Sequence, residues 1–119
     1  MAAVALSISL DCNDLDAQTR FWTAALGYEV LHRAEMHVAL GNPDRPDTHL
    51  YLNLVPESKS VKNRMHLDWD VDDIEREAAR LEALGATRSH RGEIAGTCEW
   101  ITLQDPEGNE FCVEQLTDD

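Results

Sequence analysis

The sequence predicts an α+β fold made of two copies of one βαβββ unit, and three observations support this prediction. Short alternating strand patterns begin at Ser7 and at His66, 59 residues apart. A helical pattern follows each of them and ends in the same dipeptide, Leu26-Gly27 and Leu84-Gly85. Strand-like segments separated by turn residues then return in both halves. Internal repetition of this kind decides the architecture.

The first repeat spans about residues 4–56. Its opening strand ends near Asp14, a residue type that caps helices well. Helical spacing predicts a helix over 17–26, and Gly27 suits a left-handed stop. The remaining predicted strands of this repeat are 28–33, 36–40 and 48–55.

The second repeat spans about residues 64–117. Asp72 and Glu75 resemble a capping box, which predicts that the helix begins there. The apolar positions at helical spacing are Ile74, Ala78, Leu81 and Leu84. The predicted strands after the helix are 87–90, 97–104 and 110–115. In the turn over 105–109, Gly108 can supply the positive φ of a tight hairpin.

Composition favours a single soluble domain over residues 1–119, because the connecting segment 56–63 is short and each half is small. Ten basic against 23 acidic residues give a net charge of −13, which disfavours nucleic acid and anionic membrane surfaces as partners. No apolar run approaches the ~20 residues of a membrane span, and residues 1–6 lack the basic start of a signal peptide. Three cysteines without CxxC spacing fit a reducing cytoplasm.

Strand alternation sorts side chains into a helix-packed side and an open side. The predicted core set is Ile8, Leu10, Leu50, Leu52, Leu54, Leu67, Trp69, Val71, Phe111 and Val113. The open set is Ser7, Ser9, Asp11, Tyr51, Asn53, Val55, His66, Asp68, Asp70, Cys112 and Glu114. This polar face is predicted to bind a small molecule; the alternative is a solvated face without a ligand.

The sequence is similar to the vicinal oxygen chelate superfamily, within it to small glyoxalase-like or bleomycin-resistance-like proteins. The resemblance rests on the paired units, on Phe21-Trp22 in the first helix, and on the motif Asp105-Pro-Glu-Gly-Asn-Glu-Phe111. It implies two βαβββ repeats forming an eight-stranded incomplete barrel with helices outside, commonly completed in a homodimer. It leaves open whether the cleft forms within one chain or across two.

Metal-dependent members of that superfamily hold the ion with His and Glu side chains on the first and last strands of each repeat. The resemblance carries those places onto Ser7, Asn53, His66 and Cys112. His66 alone keeps a family ligand type, so no metal cofactor is predicted. A substitute site of His66, Asp68 and Glu114 is the alternative, because imidazole and carboxylate suit iron, manganese or zinc.

His66 is the candidate catalytic residue, as an acid–base group. The candidate substrate-binding residues are Ser7, Ser9, Tyr51, Asn53, Asp68, Cys112 and Glu114. Cys112 is interpreted either as a nucleophile activated by His66 or as a small buried filler. Trp22 and Trp69 are assigned to the core, whereas the register of Trp100 is left open. The histidines interpreted as surface or structural are His32, His37, His49 and His90.

The leading functional hypothesis is a metal-independent protein that binds a small molecule in the polar cleft and does not change it. Its net charge of −13 would attract a cationic ligand. The alternative is a lyase, isomerase or dioxygenase-like enzyme that uses His66 as general base or surviving metal ligand. A purely structural or partner-binding protein is the third hypothesis. Fold alone does not choose among them.

Overall fold

The computed structural model of the chain describes residues 6–45 and 48–117, without the side chain of Leu6. Its elements in chain order are β1 Leu6–Cys12, α1 Leu15–Leu26, β2 Glu29–Ala34, β3 His37–Gly41, β4 Thr48–Leu54, β5 Leu67–Asp70, α2 Ile74–Ala83, β6 Thr87–Ile94, β7 Cys98–Gln104 and β8 Glu110–Leu116. The predicted α+β class with two βαβββ repeats is confirmed. The chain divides into two compact units, 1–58 and 59–119.

Unit 1 is a four-stranded sheet in the order β1-β4-β3-β2, in which β1 runs parallel to β4 and the other pairs are antiparallel. Its helix α1 begins where the Asp14 Oδ1 accepts the Ala17 N–H at 3.0 Å, and it ends at Gly27, whose φ of 68° is left-handed. Phe21 and Trp22 are buried on this helix, which confirms that Trp22 is a core residue.

Unit 2 repeats the plan with the sheet order β5-β8-β7-β6. The capping prediction was wrong by one residue: Asp73, not Asp72, accepts the Arg76 N–H at 3.1 Å and has an extended backbone at the start of α2. Both are aspartates, and helix phase decides between them, since Ile74 must be the first buried helical residue. Glu75 instead pairs with arginines on β6.

The strand β6 is longer than its predicted range of 87–90. Gly92 continues the ladder and pairs with Trp100, and the chain turns only at Gly96, which has a φ of 73°. Gly92, which by residue type is expected in a loop, thus lies inside a strand. The hairpin of β6 and β7 is therefore longer than that of β2 and β3.

The predicted core set is only partly buried. Four of its members are at most 3% exposed: Leu50, Leu52, Phe111 and Val113. Ile8 is 39% exposed and does not belong to the core of unit 1, because β1 is the edge strand of that sheet. The half-buried members are Leu10, Leu54, Leu67, Trp69 and Val71. Trp69 stacks on Phe111 with ring centroids 5.2 Å apart, so its assignment to packing holds.

Within residues 6–45 and 48–117, no helix is long and apolar enough to cross a membrane.

Candidate ligand-binding site

The open face of the unit 2 sheet is centred on Cys112. In the strand register, Cys112 on β8 lies opposite Asp68 on β5 and opposite Thr102 on β7. Paired residues on neighbouring strands project from the same face. Glu114, two residues further along β8, therefore shares this face as well. The alternation that predicted a polar side for these strands is confirmed.

A cavity of about 310 Å³ lies on this face, near the lower end of the range for small-molecule sites. Six of the residues that line it are His66, Asp68, Trp100, Thr102, Cys112 and Glu114. Lys62, Asn63, His90 and Glu110 also line it. Four candidate residues from the sequence, His66, Asp68, Cys112 and Glu114, are thus brought together in one cavity.

His66 and Asp68 lie side by side at the start of β5. The His66 Nε2 lies 3.2 Å from the Asp68 Oδ1, and both side chains are almost half exposed. One ligand atom of each, together with the Cys112 Sγ, lies within 4.8 Å of the others. This trio is the candidate metal group among the described residues, with Cys112 in the place that sequence reasoning gave to Glu114.

The Cys112 thiol is buried and lies 3.2 Å from the Thr102 Oγ1. Burial raises the pKa of this thiol, and the negative charges of Asp68 and Glu114 raise it further. The hydrogen bond with Thr102 lowers the pKa but does not outweigh them. A raised pKa disfavours the thiolate and therefore disfavours Cys112 as a nucleophile. A metal that binds the sulfur would have to displace the thiol proton.

Two glutamates on β8 have opposite environments. Burial raises the pKa of Glu114, and the nearby carboxylates of Asp70 and Asp68 raise it further. Burial also acts to raise the pKa of Glu110, but the Asn63 N–H at 2.9 Å and the Lys59 Nζ at 3.0 Å outweigh it and lower the pKa. The acidic end of the cavity therefore lies at Glu114.

Trp100, whose register the sequence left open, forms a wall of the cavity and lies opposite Glu114. Its indole occupies the space above Gly92: a Cβ at that glycine would lie 2.6 Å from the Trp100 Cε2 and closer still to Cζ2. A side chain at this position would displace the ring. Gly92 is therefore required for the close approach of the indole to β6.

The candidate residues Ser7, Ser9, Tyr51 and Asn53 lie together on the corresponding polar face of unit 1. Ser9 pairs with Tyr51, and both serines are exposed. The His37 Nδ1 and the Asn53 Oδ1 lie within hydrogen-bond distance, at 3.0 Å, and the His37 ring stacks on Tyr51 at a centroid distance of 5.1 Å.

Histidines of unit 1 that look scattered in the sequence are neighbours in the structure. His32 and His37 have ring centroids 6.4 Å apart, and the His49 Nδ1 lies 3.3 Å from the Tyr51 hydroxyl. In unit 2, His90 lines the cavity and is not simply a surface residue.

The tight turn over 105–109 fixes the β7/β8 register. It was therefore the sequence signal that could have placed Trp100 and Thr102 on the open face.

The paired βαβββ units and a polar cavity on one sheet face define a protein of the vicinal oxygen chelate class. The sequence matches the profile of the Glyoxalase-like domain over residues 7–114. The chain belongs to this glyoxalase-like family.

Solved structures share the fold at low sequence identity. A glyoxalase/bleomycin resistance protein/dioxygenase family enzyme from Burkholderia phytofirmans has a TM-score of 0.77 and 19% identity, covering 93% of this chain and 97% of its own. A lactoylglutathione lyase from Agrobacterium tumefaciens has a TM-score of 0.70 and 19% identity, with coverage of 97% and 95%.

A third structure of the same fold contains a metal. It is a fosfomycin resistance protein from Listeria monocytogenes in complex with Mn(II) and a dihydroxypropylphosphonic acid, with a TM-score of 0.79, 15% identity, and coverage of 95% of this chain and 90% of its own. A comparison with curated proteins found no match.

Proposed function

We propose that this protein binds a small molecule in the cavity on the open face of unit 2. The observation that carries the proposal is the cavity of about 310 Å³ that brings an indole, a buried thiol, an imidazole and several carboxylates together. Convergent polar groups in a concave space are what a ligand site requires.

A merely solvated sheet face explains this arrangement less well. The absence of a side chain at Gly92 leaves room for the Trp100 indole to pack against β6. The indole then forms a wall of the cavity, which a merely solvated sheet face would not need. Glu114 has a raised pKa because burial and two neighbouring carboxylates oppose its ionisation. Shifted titration in a cavity is typical of binding sites.

A fragment screen by NMR tests this proposal. A library of neutral, anionic and cationic small molecules should shift the amide signals of Thr102, Cys112 and Glu114. The signals of Tyr28, Asn42 and Thr48, which line a separate depression in unit 1, serve as the control. A fragment at about one hundred times its Kd should also stabilise the protein by about 2.7 kcal/mol.

Protection of a thiol provides an independent readout. A bound fragment should slow alkylation of Cys112, whereas Cys98, which does not line the cavity, should react at an unchanged rate. If no fragment shifts the cavity signals and none protects Cys112, the binding function is wrong.

A metal-dependent enzyme of the same family is the second candidate function. The observation that favours it is the trio of His66, Asp68 and Cys112, whose ligand atoms lie within 4.8 Å of one another. Nitrogen, oxygen and thiolate donors together fit a borderline metal such as zinc, iron or nickel once the Cys112 proton is lost. A bound ion would supply Lewis-acid chemistry, and three protein ligands would leave a coordination position for a substrate.

Elemental analysis of the purified protein, followed by zinc titration, decides between the two functions. The metal-independent function predicts less than stoichiometric metal and no effect of His66→Ala or Cys112→Ser on metal content. Stoichiometric metal that is lost in His66→Ala and Cys112→Ser, but kept in the controls His49→Ala and Cys98→Ser, would establish the metal enzyme instead.

A further inference from the structure

We propose that the ligand of the unit 2 cavity is an organic cation, whose positive group lies at Glu114 and Asp70 and whose apolar part lies against Trp100. This inference rests on the proposed binding function and names the chemical class of its ligand. Three observations carry it: the distribution of countercharges, the separation of charge along β8, and the position of the indole.

The carboxylates around the cavity are not equally compensated. Glu110 is paired with Lys59, and Asp68 lies 3.2 Å from the His66 Nε2. Glu114 forms no ion pair with a Lys, Arg or His in the described part of the chain, and its neighbour across β5 is another carboxylate, Asp70. An incoming cation would supply the missing countercharge.

The lysines of this region lie near Glu110, at the other end of β8. Lys62 precedes Asn63, whose N–H is bound to Glu110 at 2.9 Å. Glu110 and Glu114 are four residues apart on one strand, which corresponds to roughly 13 Å. Along β8, the lysine countercharge of the described residues therefore lies at Glu110, and the Glu114 end of the strand is the negative end.

The Trp100 indole lies beside that negative end, because Trp100 and Glu114 are directly paired in the β7/β8 register. An aromatic side chain next to a carboxylate attracts an organic cation through both its charge and its apolar body. A hydrated metal ion would gain nothing from the indole, since hard cations bind through oxygen ligands. The pairing of an aromatic wall with uncompensated carboxylates thus favours an organic cation.

Three probes of one shape test the inference: phenethylammonium, 2-phenylethanol and 3-phenylpropanoate, titrated by NMR, with calcium chloride as a fourth titrant. The cation should bind at least about tenfold more tightly than the neutral alcohol. Its affinity should fall about tenfold in Glu114→Gln and about fivefold in Trp100→Leu, and it should weaken as salt is added.

Glu93→Gln is the matched control, because Glu93 is an exposed glutamate of the same unit that does not line the cavity. It removes the same charge and should change the affinity by less than about twofold, as expected for an exposed, screened charge. Equal loss in Glu93→Gln and Glu114→Gln would show a general charge effect and overturn the inference.

Other outcomes separate this inference from the binding function. Equal or tighter binding of the alcohol or the carboxylate at the cavity would overturn the cation class and leave small-molecule binding intact. Calcium binding at Glu114 that excludes phenethylammonium would overturn it in favour of a metal ion. Trp100→Phe should retain binding that Trp100→Leu loses, because the phenyl ring preserves an aromatic wall.

Discussion

Units 1 and 2 share one topology, yet their open faces differ in chemistry. At positions 59 residues apart, unit 1 has Ser7 and Asn53 where unit 2 has His66 and Cys112. In unit 1 some polar groups lie within hydrogen-bond distance of one another, as do His37 and Asn53. In unit 2 the carboxylates crowd together and Glu114 has a raised pKa. The two repeats therefore share the fold, but in unit 2 burial and closely spaced carboxylates together raise a pKa, which is typical of a binding site.

Hairpin length is the structural source of this difference. β6 and β7 contain eight and seven residues, whereas β2 and β3 contain six and five. The extra length places Trp100 against Gly92 and opposite Glu114. Val55, the counterpart of Glu114 at the 59-residue spacing, lies just beyond the end of β4. The longer hairpin thus adds the aromatic wall and the acidic end of the cavity.

Core truncation should produce the largest effect and test whether the two units are packed equally well. Leu52 and Phe111 occupy corresponding positions, and each is at most 1% exposed. Leu52→Ala should lower the free energy of unfolding by about 2–5 kcal/mol, and Phe111→Ala by about 3–5 kcal/mol, because both leave cavities. Phe111 also loses its stacking on Trp69. Denaturant unfolding measures both changes.

Leu116→Ala is the control for this pair, since Leu116 is 75% exposed and its truncation should cost less than about 0.5 kcal/mol. A Leu52→Ala cost as small as that of Leu116→Ala would mean that unit 1 lacks the close packing seen here.

The second-largest effect should be a difference in how much the segments after β3 and after β7 contribute to stability. Asp105 is 3% exposed, and its carboxylate accepts the Glu107 and Asn109 N–H groups at 2.9 Å and the Asn109 amide nitrogen. Asp105→Ala should therefore cost about 2–3 kcal/mol, because buried donors lose their acceptor. The Asn42 Oδ1 accepts the Asp44 N–H at 2.9 Å in an exposed bond, and Asn42→Ala should cost less than about 1 kcal/mol. Comparable losses in thermal unfolding would contradict the distinction.

The sequence was sufficient to predict the repeats, the cap at Asp14 and the stop at Gly27, because these depend on local periodicity and on backbone preferences of single residues. It misplaced the second cap, since Asp72 and Asp73 are chemically identical and only helix phase distinguishes them. It ended β6 too early because Gly92 is a turn residue by type, and its role depends on the indole packed against it.

Four of the ten residues that line the unit 2 cavity followed from strand alternation alone. His66, Asp68, Cys112 and Glu114 were predicted on one face because alternation within β5 and β8 is a local property. The face of Trp100 was left open because it depends on the register between β7 and β8, which is a property of two strands. Electrostatic shifts follow from three-dimensional proximity and could not be predicted.

The two glutamates of β8 should show opposite pH dependence, an effect for which unit 1 has no counterpart, since Tyr51 and Val55 occupy the matching positions. The folded-state pKa of Glu114 is raised, so its contribution to stability is present below the ordinary carboxyl pKa and is lost as pH rises through the folded value. Glu114→Gln should therefore raise the melting temperature at neutral pH, and the gain should shrink on acidification.

Glu110 has the opposite sign, because its folded-state pKa is lowered. Its contribution is present above the ordinary carboxyl pKa and is lost as pH falls through the folded value. Glu110→Gln should lower stability at neutral pH by about 1 kcal/mol, since a charge-assisted bond to Lys59 is lost. Thermal unfolding across the acidic range measures both; parallel pH profiles for the two variants would contradict the assigned environments.

Surface ion pairs should contribute least to the free energy of unfolding, and their contribution should be similar in the two units. Arg33 pairs with Asp16 at 3.3 Å in unit 1, and Arg91 pairs with Glu75 at 2.6 Å in unit 2, with all four side chains about half exposed or more. Solvent and salt screen such pairs, so Arg33→Gln and Arg91→Gln should each change the free energy of unfolding only slightly, as measured by denaturant unfolding. Arg91 also binds Glu99 at 3.0 Å. A larger loss of stability in Arg91→Gln alone, abolished by added salt, would show that this network stabilises unit 2 more than single exposed pairs do.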